Sequence, residues 1–320
     1  VHHAFRVSVP EGIENTYRDP LLSDIQRTAL RLKTALEAET PVFMEGELIA
    51  FTRTVPNLPL IFTDDEWAKI KAKHYIHELG NVSNLSPDYE KVLRHGLLYY
   101  RDRLGDGEEH SAMRMSIDAV LGLTRRYAEE AEKQGLTDIA ETLNHVPAGG
   151  ARTFREALQS LRVLHYCMWV EGDYHNTLGR FDQYMMPYLR HDLDAGIETE
   201  ESAFELLEAF FLACNRDSDL YPGMQQGDNG QSMVLGGMTP EGKDGFNLLS
   251  QMCLKASGEL RLIDPKINLR VSKDTPLWVY ESGTQLTKLG IGFPQYENDD
   301  VAIPALEALG YAEEDARNYA

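Results

Sequence analysis

Apolar residues recur along most of this chain at the spacing of an amphipathic helix. The helices that this spacing predicts cover residues 21–39, 63–80, 88–105, 107–145 (as one or two helices), 151–172 and 201–219. Start and stop signals support the second of them, because Thr63 is a suitable N-cap, acidic residues follow it, and Gly80 suits the end. Residues 47–62 instead predict one or two strands, interrupted by two prolines.

The pattern changes in the second half of the chain. Short apolar runs within residues 231–242 and 265–276 alternate with helical patterns over 243–260 and 275–290, and Gly/Pro-rich turns separate them. Such alternation of strands and helices is typical of an α/β barrel or a wound sheet. We predict one continuous domain over residues 1–320, mostly helical over 1–150 and with helices alternating with barrel strands over 151–320.

Composition and charge exclude several classes of partner. Hydrophobic residues make up 42% of the 320 residues and charged residues 26%, which is enough to bury a full core. The net charge of −20 disfavours nucleic acid and anionic membranes. No apolar run is long enough to span a membrane, and the first residues do not resemble a signal peptide. We expect a cytoplasmic protein with a small-molecule substrate.

The three cysteines do not form a recognisable chemical motif. Cys167, Cys214 and Cys253 are widely spaced, which fits neither a disulfide framework nor a metal site. Each has apolar neighbours, so we predict three buried thiols and no nucleophile among them.

Residues 165–188 carry an unusual density of polar side chains between aromatic-rich flanks. The polar members are Glu171, Asp173, His175, Asn176, Thr177, Arg180 and Asp182. A solvated loop does not need flanking aromatics, and a plain core helix does not carry so many groups that require hydrogen bonds once buried. The mixture therefore predicts a buried polar pocket, and such pockets are usually binding sites.

Individual residues of this stretch admit two interpretations. Arg180 and Asp182 are two positions apart, which points their side chains apart in a helix or turn. They form either a structural ion-pair cluster or part of a substrate site. His175 is either a hydrogen-bonded polar residue or a base. Further candidates outside the stretch are Asn84, Asn229 and Asn298.

Two other strings are weaker signals. Residues 228–237 are punctuated by glycine but lack the lysine and the spacing of a phosphate-binding loop, so a turn entering a buried strand is the better interpretation. Residues 296–306 place acids before an apolar run, which predicts either a helix N-terminus or part of a pocket wall.

Several strings together resemble one enzyme family. They are SPDYEKVLRHGL (86–97), EGDYHNTLGRFDQYMMPYL (171–189), GQSMVLGG (230–237) with GKD (242–244), PKINLRVSKDTP (265–276), GIGFPQYENDDVAIPAL (290–306) and EEDARNYA (313–320). In this order they are similar to glycyl radical enzymes of the pyruvate formate-lyase and glycerol dehydratase type.

The resemblance implies an α/β fold, a ten-stranded barrel whose two halves enclose a substrate cavity. It also implies that a cysteine on a loop forms a thiyl radical and that a glycine on a C-terminal loop stores the radical. A separate radical-SAM activating enzyme installs that radical, no cofactor is bound, and the full-length form is a homodimer. Such chemistry needs a dry, closed cavity.

The chain departs from the family pattern at its end. In relatives the thiyl cysteine follows the EDAR-Y string by a few residues, but this sequence stops at Ala320, so that cysteine and the glycyl loop are absent. We therefore expect an N-terminal portion of a glycyl radical enzyme that does not catalyse the reaction alone, either a truncation or a split subunit.

The resemblance also implies the substrate-side residues. Thr177 stands where dehydratase-type relatives have a serine, and Asp182 binds a substrate polar group or holds the cavity wall. Asn84 falls near the position where dehydratases carry a histidine, which the resemblance implies aids departure of a hydroxyl, and Asn cannot act there as a general acid. Ile76 and His175 complete the predicted cavity lining.

The leading expectation is a radical lyase or dehydratase that cleaves a C–O, C–N or C–C bond of a small polar substrate. Within the same chemistry, a formate acetyltransferase-type acyl transferase and an arylacetate decarboxylase are alternatives. The alternative from another class is a non-catalytic subunit that complements a partner bearing the radical.

Overall fold

A computed structural model describes residues 5–73, 84–172, 175–216 and 231–320. For Asn84 and His175 it describes the backbone alone. The α-helices in these ranges are α1 (Asp24–Ala38), α2 (Asp64–Lys73), α3 (Tyr89–His95), α4 (Leu97–Arg101), α5 (Glu108–Gln134), α6 (Thr137–His145), α7 (Phe154–Glu171), α8 (Phe181–Ala195), α9 (Glu200–Asn215), α10 (Leu248–Leu260), α11 (Leu277–Thr287), α12 (Asp299–Ala308) and α13 (Glu313–Tyr319). The strands are β1 (Asn84–Leu85), β2 (His175–Asn176), β3 (Ser232–Gly236), β4 (Lys266–Val271) and β5 (Gln295–Asn298).

These five strands run parallel and neighbour one another in chain order. β1 pairs with β2, and β4 lies between β3 and β5. Just after β2, a parallel bridge between Gly179 and Met233 joins the two groups. There the amide of Leu178 donates to the carbonyl of Ser232 at 2.7 Å. Parallel neighbours require crossover connections, which helices provide here, so the predicted alternation of strands and helices is confirmed.

Helix α7 is buried on almost all sides. Fourteen of its 18 residues are buried, and Leu164 contacts both hydrophobic clusters of the molecule. Phe154 and Leu161 belong to the cluster beneath β3 and β4, whereas Tyr166 and Val170 belong to the cluster formed with α1, α5 and α6. No helix within the described ranges is both long enough and apolar enough to cross a membrane.

The predicted helices are largely confirmed, and their ends follow from local signals. Ser23 caps α1 through a reciprocal capping box with Gln26. Thr63 precedes α2, and its hydroxyl accepts a hydrogen bond from the amide of Glu66 at 3.3 Å, as expected for an N-cap. The predicted end of this helix at Gly80 lies outside the described residues.

The prediction of strands over residues 47–62 is wrong. This segment is buried but forms no strand, because buried side chains satisfy its backbone in place of a neighbouring strand. The amide of Ala50 donates to Oε1 of Gln159 at 2.8 Å, and Nη2 of Arg162 donates to the carbonyl of Phe51 at 2.7 Å. Sequence periodicity does not reveal such partners.

The single helix predicted over residues 88–105 is divided at Gly96. This glycine has a φ of 76°, and a Cβ there would overlap the backbone of Gly149. A Cβ on Gly150 would overlap the carbonyl oxygen of Arg94. The break therefore allows the segment before α7 to cross the end of α3 at backbone contact distance.

We expect Gly150→Ala to lower the free energy of unfolding by about 1–3 kcal/mol, because the added methyl must displace backbone. Gly122→Ala is the matched control. Gly122 lies within α5 with open space around it, so alanine there is expected to raise stability by about 0.5–1 kcal/mol. Urea denaturation of both variants measures the effect, and a neutral Gly150→Ala would contradict the close crossing.

Candidate functional site

The two faces of the sheet differ in chemistry. Met233, Leu235, Ile267 and Leu269 pack into the helical core cluster. Because side chains alternate along a strand, the intervening residues face the opposite side. We call this side the polar face, and the described side chains on it are Thr177, Ser232, Val234, Lys266, Asn268, Arg270, Gln295 and Glu297.

Three of the predicted site positions meet at β1 and β2. The register places Asn84 directly opposite His175. The amide of Thr177 donates to the carbonyl of Leu85 at 2.9 Å, which extends this pairing. Leu178 is fully buried in the core cluster, so the half-buried Thr177 lies on the polar face, in the row of Ser232. The structure therefore brings Asn84, His175 and Thr177 together at one edge of the sheet.

Two further candidates cannot be placed, since Ile76 and Asn229 lie outside the described residues. Asn298 has a structural role: its Oδ1 accepts from the amide of Asp300 at 2.9 Å and caps α12. Residues 296–306 thus contain the end of β5 and the N-terminus of helix α12, which is one of the two interpretations of this string.

Asp182 lies at the start of α8 and has no exposed surface. One carboxylate oxygen accepts from the amide of Gly236 at 2.7 Å and from the hydroxyl of Ser250, and the other accepts from Nε2 of Gln183 at 2.8 Å. Of its two predicted roles, these contacts favour holding the wall, because protein donors occupy both oxygens. Burial raises the pKa of Asp182 to about 6, against the opposing effect of these hydrogen bonds.

Arg180 precedes Asp182 but directs its donors elsewhere. Its Nη2 donates to the carbonyl of Gly236 at 3.0 Å, and its Nη1 reaches the carbonyl of Arg317 at 3.4 Å. Burial, together with the nearby charge of Arg270, lowers the pKa of Arg180 to about 10. Arg180 and Asp182 therefore both contact the end of β3, through separate hydrogen bonds.

A buried ion pair between β4 and α12 completes this arrangement. Nε of Arg270 donates to Oδ1 of Asp299 at 2.8 Å, and the two side chains are 0% and 1% exposed. Oδ2 of Asp299 accepts from the amide of Met238 at 2.6 Å. Gly237 is required next to them, because its φ is 76° and a Cβ there would overlap the guanidinium of Arg270.

The C-terminal helix α13 is fastened to the same edge of the sheet. The carbonyl of Arg317 accepts from Nη2 of Arg270 at 2.8 Å, and Nη1 of Arg317 donates to the carbonyl of Pro240 at 3.0 Å. These contacts fix the position of α13 relative to β3 and β4.

The buried cysteines and His165 are held in their neutral forms. All three cysteines are free and buried, as predicted, and burial raises the pKa of the Cys253 thiol well above its ordinary value. Burial also lowers the pKa of His165 to about 3, so its imidazole stays neutral near pH 7.

Sequence reasoning assigned no role to Asn268 or Arg270, and it treated Asp299 only as one of the acids at a helix N-terminus or pocket wall. A signal was present, because the string K-I-N-L-R-V alternates polar and apolar residues and so places Asn268 and Arg270 on one face of a strand. The contact of Arg270 with Asp299 depends on neighbouring strands and has no local signal.

Comparison with known proteins shows similarity over most of the chain. A family model described as pyruvate formate lyase-like matches residues 60–320. The trans-4-hydroxy-L-proline dehydratase of Clostridioides difficile is 30% identical over 231 residues, 64% of this chain and 28% of that protein. The isethionate sulfite-lyase of Oleidesulfovibrio alaskensis is 30% identical over 296 residues, 81% of this chain and 36% of that protein.

Solved structures show the same fold. The B12-independent glycerol dehydratase from Clostridium butyricum has a TM-score of 0.82 at 25% identity, covering 95% of this chain and 50% of that one. A glycyl radical enzyme from Archaeoglobus fulgidus has a TM-score of 0.82 at 20% identity and covers 98% and 52%. The predicted partial α/β barrel is thereby confirmed, and the chain spans about half the length of these solved relatives.

The raised pKa of Asp182 predicts a pH-dependent stability. Because its folded-state pKa is about 6 and its ordinary value is 3.8, its contribution is fully present below about pH 4 and is lost as the pH rises through 6. Asp182→Asn stays uncharged, so the difference in unfolding free energy between it and the wild type should change over this range and level off above about pH 7.

Urea denaturation between pH 4 and 8 measures this difference. Ser250→Ala is the companion variant, because it removes a hydrogen bond that lowers the pKa of Asp182 and should move the transition to higher pH. A difference that is constant across the range would show that Asp182 does not titrate as described.

Removing the charge of Arg270 should destabilise the protein. We expect Arg270→Met to lower the unfolding free energy by about 3–5 kcal/mol, because Asp299 is left buried without its cation. Arg125→Met is the control, since Arg125 and Glu129 form an exposed pair that is expected to contribute little. Hydrogen exchange should rise in α13 for Arg270→Met. Equal losses in both variants would contradict the role of the buried pair.

Proposed function

The chain belongs to the pyruvate formate lyase-like family, and we propose that the complete protein is a glycyl radical lyase or dehydratase acting on a small polar substrate. The observation that carries this proposal is the register of β1 and β2, which sets Asn84 opposite His175 and is followed by Thr177 in the row of Ser232, among five described parallel strands. The dehydratase and lyase relatives favour this function over an acyl transferase, an arylacetate decarboxylase or a non-catalytic subunit.

In this proposal the chain supplies one wall of the substrate cavity. This chain covers about a third to a half of its relatives, so the thiyl cysteine and the glycyl loop would belong to parts of the complete protein that this chain does not include. A radical-SAM activating enzyme would install the radical, and the full-length form would be a homodimer.

The residues of this chain would bind and orient the substrate. The hydroxyl of Thr177 would hydrogen-bond a polar substituent, with Asn84 and His175 beside it. The hydrogen bond from the amide of Gly236 to Asp182 would hold the end of β3 in place, and it would thereby help to fix the position of Ser232 on the same strand.

The asparagine at position 84 bears on the type of bond cleaved. Loss of a hydroxyl group is helped by a proton donor, whereas the amide of Asn84 does not act as a general acid. Departure of sulfite, the reaction in the name of the isethionate relative, needs less help from a proton because sulfite is a more stable anion. This argument favours a substrate whose leaving group is stable without protonation.

Thr177→Val in the complete, activated protein tests the proposal. Loss of the hydroxyl should lower kcat/KM by about 10-fold or more, because a buried substrate group loses its partner, and Thr177→Ser should restore it. The glycyl radical signal in electron paramagnetic resonance should be unchanged in both variants, which separates substrate binding from activation.

Two outcomes would contradict the proposal. One is an activated protein that forms no glycyl radical. The other is an unchanged kcat/KM of Thr177→Val with every substrate turned over, isethionate and trans-4-hydroxy-L-proline included.

A further inference from the structure

Two polar groups on the polar face of β4 lack a hydrogen-bond partner among the described residues. They are Oδ1 of Asn268 and Nη1 of Arg270. Asn268 is 8% exposed and Arg270 is 1% exposed, so water does not replace the missing partners freely. Folded proteins rarely leave such groups unsatisfied, because each costs free energy that an apolar side chain of the same size would not.

The two groups lie side by side. Asn268 and Arg270 are two residues apart on one strand, so they share a face at a spacing of about 7 Å. Asn268 lies opposite Val234 and Gln295 in the register. Thr177 is two strands away, roughly 10 Å across the sheet. One small molecule can therefore reach Asn268 and Arg270 together, whereas Thr177 lies in the row of Ser232 and Lys266, two residues earlier along β4 than Asn268.

Oη of Tyr89 also lacks a described partner, but it lies in the hydrophobic cluster among the helices, and burial raises the pKa of that phenol. Asn268 and Arg270 instead lie on the polar face of β4, alternating with Ile267 and Leu269 of that cluster. Their arrangement fits a binding subsite better than an isolated packing defect.

The chemistry of the pair restricts its ligand. Nε and Nη2 of Arg270 are fixed by Asp299 and by the carbonyl of Arg317, so Nη1 is a donor held in one direction. A guanidinium donor binds an anionic oxygen most strongly. Oδ1 of Asn268 is an acceptor and selects a hydroxyl or amine hydrogen.

We propose that Asn268 and Arg270 form a binding subsite for a small hydroxy acid, with a carboxylate or sulfonate oxygen at Arg270 and a hydroxyl at Asn268. That this ligand is also the substrate rests on the proposed function. Binding itself requires no radical, so the subsite can be tested separately.

Isethionate is the probe, and glycerol is the neutral comparison. Saturation-transfer NMR and thermal unfolding of the chain are measured with each compound. Isethionate should bind and raise the Tm, and glycerol should bind more weakly because it lacks the anionic oxygen. Asn268→Leu should weaken isethionate binding by about 10-fold, the effect of losing one buried hydrogen bond.

Three variants separate a binding role from a structural one. Asn268→Leu should raise the Tm without ligand, since an unsatisfied group is replaced by an apolar one. Asn176→Leu is the matched control: Asn176 is fully buried on the other side of the sheet and has contacts within the protein, so this variant should lower the Tm. Asn268→Asp should abolish isethionate binding by charge repulsion but keep that of glycerol.

A lower Tm for Asn268→Leu would assign Asn268 a structural role and overturn the proposal. So would isethionate binding that Asn268→Leu and Asn268→Asp leave unchanged, or no isethionate binding by the wild type. Binding that behaves as expected in a complete protein without lyase activity would keep the subsite and remove the proposed reaction.

Discussion

The buried guanidinium of Arg270 is the constraint on which the rest of the site depends. It connects β4 to the first residue of α12 through Asp299, and it holds α13 through a backbone carbonyl. A guanidinium without exposed surface is stable only when its charge is balanced, and Asp299 supplies that balance while also binding the amide of Met238. One side chain thereby fixes the relative positions of three strands and two helices.

Asp182 repeats this arrangement on the other side of β3. Both acids occupy the first turn of a helix, where the helix dipole favours negative charge, and both accept a backbone amide from the end of β3. The Gly236–Gly237 pair makes this possible, because its positive φ angles turn the chain between the two carboxylates. These polar groups hold the end of β3 between two helix N-termini.

The helical N-terminal half supports this edge from behind. Helix α7 is buried between two hydrophobic clusters and leads directly into β2, so its position sets that of Thr177. The extended segment over residues 47–62 fills the space beside it, with buried arginine and glutamine side chains in the place of a neighbouring strand. The helical side of the partial barrel is therefore well packed.

The sequence by itself determined the helices, the strands β3 and β4, the buried cysteines and the family, since periodicity, caps and motif strings are local properties. It also identified Thr177, His175 and Asn84, which the register then placed together. It did not determine the irregular backbone over 47–62, the break at Gly96, or the roles of Arg270 and Asp299. Those depend on side chains and backbone that are distant in the chain and meet only after the strands align, so only the tertiary structure decided them.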